Sequence, residues 1–169
     1  MGVNAASRTN EKLYQARQLL QLLASSASAN RSLQNGLLNA AILALQGAYL
    51  AFLLEVAVAH RLPLGFVESL HQLAPLLERK GVADIAVRNL LQLHEDGGWP
   101  AWLLGWYREV LGDDGWTPAS DKPTPQGNII GIVDVSGIQV PPLTAASVAD
   151  VLEKLRIFID EQREHLIEW

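Results

Sequence analysis

Apolar positions recur at helical spacing along most of this chain, and the breaks between periodic runs fall at residues that stop helices. Leu13, Ala16, Leu20 and Leu23 follow one another at three- and four-residue steps, with Ser7, Thr9 and Asn10 offering capping oxygens, so a first helix is predicted over 9–27. Small and polar residues at 25–32 predict a turn. A long second helix is predicted over 32–61, ending ahead of Pro63 because the residue before a proline is disfavoured in the helical region. Shorter helices are predicted over 65–80, 82–93 and 99–111, separated by Gly81 and by Asp96-Gly97-Gly98, with Pro100 opening the last of them. Pro75 is expected to kink or split the first of these. The Asp, Gly, Pro, Ser and Thr content of 112–127 reads as a long exposed loop. Beyond it, the β-branched run 129–135 and the residues 138–140 flank Ser136-Gly137 and read as a small hairpin that must pack on the helices. A last helix is predicted from 144 to the C-terminus, with Val148, Leu152, Leu155, Ile159 and Leu166 along one side.

The fold class that follows is all-α: an irregular bundle of five or six helices around the hydrophobic second helix, with a small extended or hairpin element near 128–140. At 169 residues the chain is read as one helical domain spanning 1–169. Residues 36–54 carry no charge and only Asn39 and Gln46 as strongly polar side chains, long enough to span a bilayer. The expected reading is nevertheless a bundle centre, because Glu55 and the two amides are costly in lipid and no basic cluster fixes an orientation.

Composition narrows the chemistry further. With no cysteine there is neither a disulfide framework nor a thiolate site, and the expected setting is a reducing, cytoplasmic one. The first ten residues lack the basic and apolar regions of a secretory signal. A net charge of -5 argues against nucleic-acid binding, which requires a basic footprint. The charge is uneven: residues 1–94 hold eight basic against five acidic side chains, and residues 95–169 hold five against thirteen, so the two halves are suited to attract each other within a bundle or across a dimer.

Three stretches, Arg8-Thr9-Asn10-Glu11-Lys12-Leu13-Tyr14, Glu55-Val56-Ala57-Val58-Ala59-His60-Arg61-Leu62-Pro63 and Glu161-Gln162-Arg163-Glu164-His165-Leu166-Ile167-Glu168-Trp169, resemble an uncharacterised family of small helical proteins from gammaproteobacteria. The resemblance implies a helical fold and a bacterial setting and carries no activity with it.

Four groups of residues are candidates for chemistry. Arg88-Asn89 followed by His94 resembles the Arg, polar, His signature of HEPN ribonucleases, in which Arg would grip the scissile phosphate while His moves a proton. Residues six apart on a helix point about 120 degrees away from each other, so a shared site needs a kink or a second subunit. The pair Glu68 and His71 has the spacing by which di-iron bundles place two ligands on one face, but no second pair accompanies it and no metal is expected. Trp99, Trp102 and Trp106, with Tyr107 beside them, concentrate aromatic area on one helical face, as core or as a binding surface. Tyr14, Arg17, Gln46 and Glu55 are expected to form a buried polar network between the first two helices, with Glu55 as its acid-base candidate.

No phosphate-binding loop, nucleophile elbow or zinc-protease motif is present, and no cofactor is expected. The expectation is therefore a non-enzymatic helical interaction module that binds a protein partner or itself. The alternatives are a HEPN-like metal-independent ribonuclease or an antitoxin-type relative, and a membrane-associated protein acting through 36–54.

Overall fold

In the computed structural model, six helices make up 81% of the described residues, which are 5–26, 28, 30–63, 65, 67–112 and 140–167. They are α1 (Ala5–Ser25), α2 (Arg31–Ala59), α3 (Leu70–Arg79), α4 (Ile85–Glu95), α5 (Trp99–Leu111) and α6 (Ala145–Ile167). The chain is all-α, and no strand occurs among the described residues. The long loop expected from 112, Trp116 within it and the hairpin expected near 128–140 lie outside them, apart from Gly112 and Val140.

Local chemistry sets most helix ends. Asn30 caps α2 by accepting the Leu33 amide at 2.8 Å, Asp84 caps α4 through Val87 at 2.9 Å, and Thr144 and Ser147 cap each other's amides ahead of α6. Gly81, Gly97 and Gly112 take positive φ just past α3, α4 and α5, where a side chain would strain the backbone. The end of α2 uses Arg61 at φ 52 instead, and the Lys80 ammonium donates to the carbonyls of His60 and Arg61 there. His60 Nε2 also meets Asp84 Oδ2 at 2.7 Å, so one carboxylate caps α4 and ties it to the end of α2.

α1 begins at Ala5 rather than 9 and α4 at Ile85 rather than 82, and α3 departs from expectation in two ways. α3 starts at Leu70 rather than 65, because the Ser69 hydroxyl accepts the Gln72 amide and fixes the first turn there. Pro75 lies inside α3 without splitting it; the ring sits on the exposed side, so a short helix loses one backbone hydrogen bond and little packing.

α2 is the central element, and α1 turns back along it while α3, α5 and α6 pack on other sides. Ile42, Leu45, Phe52 and Leu53 of α2 are fully enclosed with Leu73 of α3, Leu103 and Trp106 of α5, and Leu155 and Ile159 of α6. Each such side chain contributes about 1.5–3 kcal/mol of burial. An edge-to-face aromatic series runs through this core, Tyr49 to Trp99, Trp99 to Phe158 and Phe158 to Phe52, with ring centroids about 6 Å apart. The first part of α2 is different: its buried positions begin at Ala41, and Leu33 and Leu43 remain exposed. Among the described residues α2 alone is long and apolar enough to cross a membrane, and 61% of its apolar stretch is buried inside the fold.

Candidate functional site

The amide of Gln46 has no business in an apolar core unless something meets it. Gln46 is 7% exposed, in the middle of α2, and has no hydrogen-bond partner among the described residues. It lies on the wall of a cavity of about 340 Å³ bounded by α2, the start of α3, the end of α4 and one face of α5. A helical register places Tyr49 and Leu50 beside Gln46, and the same register on α5 presents Pro100, Leu104 and Tyr107 opposite. Glu68, just ahead of the α3 cap, and His71 in the first turn of α3 line one side, and the last turn of α4 brings His94.

The two imidazoles stand edge to face, with centroids 5.2 Å apart. Burial, then the neighbouring His71, then Arg108 hold the His94 imidazole below its ordinary pKa, with Glu95 acting weakly in the other direction. Near neutral pH His94 is therefore uncharged, with one ring nitrogen able to donate and the other able to accept. Burial also pushes the Tyr49 phenol upward, so it stays protonated. The wall thus offers uncharged donors and acceptors set in apolar surface, and the one carboxylate, Glu68, is exposed at the rim. No group of three His, Asp or Glu side chains able to hold a metal occurs among the described residues.

The cavity gathers one or two members from each of the four groups that the sequence singled out: His94, Glu68 with His71, Tyr107, and Gln46. Their companions lie elsewhere. Arg88 and Asn89 are exposed on α4, and Arg88 borders a separate groove between α3 and α4, so the Arg, polar, His series does not converge on one site. Trp99 and Trp106 are core residues, Trp106 only 1% exposed with its Nε1 donating to the Pro141 carbonyl at 3.0 Å. Trp102 is half-buried, with the Lys154 ammonium 5.0 Å over its ring. Tyr49, which the sequence reading passed over, was traceable from its three-residue step after Gln46 within the uncharged stretch 36–54.

The expected polar network between α1 and α2 is replaced by another. Tyr14 is 62% exposed and Arg17 is also on the surface, because both project from the outer face of α1. Glu55 turns instead toward α6, where Arg163 donates to both carboxylate oxygens, Nε to Oε1 at 2.8 Å and Nη2 to Oε2 at 2.9 Å. Arg163 also donates to Asn10 Oδ1 at 2.8 Å, and the buried Thr9 hydroxyl lies 3.1 Å from Glu55 Oε2. Both Glu55 oxygens are engaged in this way, and away from the cavity, so its side chain joins the end of α2 to α1 and α6.

A family model described as a family of unknown function (DUF6586) matches residues 1–169, and the chain belongs to that family. No curated protein and no solved structure matches the chain significantly.

Proposed function

For a chain of this family of unknown function, we propose a small-ligand-binding helical module whose site is the cavity between α2, α3 and α5. The observation that carries the reading is the Gln46 side chain, only 7% exposed in the middle of an apolar helix and bonded to no other described residue, with its amide on the wall of this cavity. An amide so placed bonds to water when the cavity is empty, and a ligand that offers a matching donor and acceptor takes the place of that water. The volume, about 340 Å³, falls in the lower part of the range for small-molecule sites. Binding rather than turnover fits the lining, since the Ser69 hydroxyl is committed to capping α3 and neither imidazole has a carboxylate partner among the described residues. The lack of cysteine supports a cytoplasmic setting.

The test is ligand-detected NMR with a mixture of small aromatic and aliphatic compounds, comparing the natural chain with Leu104→Trp, which fills the cavity. Compounds that bind the first and not the second support the reading. Equal binding to both refutes it.

A second reading, association with a further copy of the chain, draws on the α1–α2 hairpin. Leu22 is 53% and Leu33 50% exposed near its turn, and no described residue of α1 beyond Ala16 or of α2 before Ala41 is buried. Light scattering of Leu22→Glu/Leu33→Glu against the natural chain checks this. A monomer in both cases removes it.

A further inference from the structure

The polar atoms that face this cavity share one property, which is that the buried ones carry no fixed charge. Gln46 presents a carbonyl acceptor beside an amino donor on the cavity wall, on a side chain that is 7% exposed. Tyr49, 8% exposed, adds a protonated phenol and the wide face of its ring, and Tyr107 adds a second ring from α5. Leu50, Pro100 and Leu104 complete apolar walls. Such walls favour a flat, ring-shaped body, and a carboxamide at their side fits a partner that shows a donor and an acceptor next to each other, as an adenine edge does to Asn or Gln.

Resting on the reading of this cavity as a ligand site, we propose that it selects an uncharged planar ring bearing an amide-type edge, an acceptor and a donor side by side, with the Gln46 carboxamide as its complement. A carboxylate on the same ring fits worse for two reasons. Entering the enclosure strips its hydration with no fixed cation in the wall to replace it, and the Glu68 carboxylate at the mouth repels it. A cationic ring gains only the exposed, solvent-screened Glu68. His94 and His71, at the α3 and α4 edge of the cavity, hydrogen-bond to the far side of the ring and report its arrival.

The experiment uses the full chain with isotope-labelled histidines and two probes of equal size and shape, naphthamide and naphthoate. The imidazole signals of His71 and His94 are followed in titrations of the natural chain, Gln46→Leu and Leu104→Trp near neutral pH. The expected result is that naphthamide shifts the His94 signal and binds at least about tenfold more tightly than naphthoate, because the carboxylate is desolvated without a partner. Gln46→Leu, an apolar replacement of similar size, weakens naphthamide about tenfold without affecting naphthoate, and Leu104→Trp abolishes both. Naphthoate binding as tightly as naphthamide, with both blocked by Leu104→Trp, overturns the selectivity and leaves the site standing. If neither probe shifts His94, or if Leu104→Trp binds both unchanged, the selectivity and the ligand-site reading fall together. The comparison of the two probes on the natural chain decides the matter even if a variant folds poorly.

Discussion

Replacing Arg163 by methionine removes the group that joins the end of α2 to both terminal helices, and the loss can be worked from its surroundings. The Arg163 side chain is 21% exposed and that of Glu55 12%, which puts the pair between a surface ion pair and a fully enclosed one. Surface pairs are worth about 0–1 kcal/mol, whereas stripping one partner from a buried pair costs about 3–5 kcal/mol. Here the methionine retains most of the aliphatic packing but leaves Glu55 with Thr9 alone, and Asn10 loses its contact at 2.8 Å. The expected destabilisation is about 2–3 kcal/mol, which for a chain of this size lowers Tm by about 5–10 °C.

Urea denaturation of Arg163→Met, Glu55→Gln and the double variant forms a cycle that isolates the pair, with an expected coupling of about 1.5–3 kcal/mol. The Glu55 hydrogen bonds push the Arg163 pKa upward, so the guanidinium keeps its charge throughout and salt is the informative variable. A screened surface pair loses its coupling in high salt, while this sheltered one is expected to keep most of it. Arg17→Met provides the control, since this side chain is exposed on α1 and its loss is expected to move stability by no more than about 0.5 kcal/mol. A coupling under about 0.5 kcal/mol would refute the argument, because it would mean that solvent reaches the pair and that packing alone holds the three helix ends.

Three further outcomes follow from single sites. Because the His94 pKa is lower in the fold than the unfolded value near 6.5, its contribution is fully present above about pH 6.5 and is lost as pH falls through the folded value; urea midpoints at acid and neutral pH are expected to differ less in His94→Gln. A Cβ on Gly98 would lie 2.9 Å from the Leu93 carbonyl oxygen, so Gly98→Ala is expected to cost about 2 kcal/mol, against about 1 kcal/mol for Gly81→Ala, where only the positive φ opposes the methyl; paired thermal melts compare them. Trp106→Phe is expected to lose about 2–3 kcal/mol with its Pro141 hydrogen bond and core volume, whereas Trp102→Phe removes an indole N–H buried without a partner among the described residues and is expected to stay within about 1 kcal/mol of the natural chain by denaturation.

The helices were legible because their signals are local. Gly81, Gly97 and Pro100 mark ends that depend only on backbone angles, and 99–111 is found where the apolar period and these stops agree. The start of α3 was harder to read, since Phe66 and Val67 continue the apolar period upstream of Ser69, the true cap. Glu55 shows the limit from another side. Its need for partners is evident at the end of an uncharged stretch, but Tyr14 and Arg17, the residues expected to supply them from the neighbouring helix, do not; Thr9 of that helix does, together with Arg163, which lies 108 positions away. Burial demands a counter-charge without saying where along the chain it comes from.

The cavity follows the same logic one step further. Glu68, His71, His94, Tyr107 and Gln46 each drew notice from the sequence, but under four different chemistries, because motif spacing groups residues by their place on one helix. The fold groups them by which ends of α3 and α4 close over the middle of α2, and that depends on the packing of Leu70, Leu73 and Leu90 against the core rather than on any feature of the polar residues themselves. A polar residue that is explained by no motif and still sits in an apolar helix is thus the more useful clue. Gln46 was first placed in a network with Tyr14 and Arg17, and the fold gives its amide no protein partner among the described residues, which turns a supposed structural residue into the centre of the candidate site.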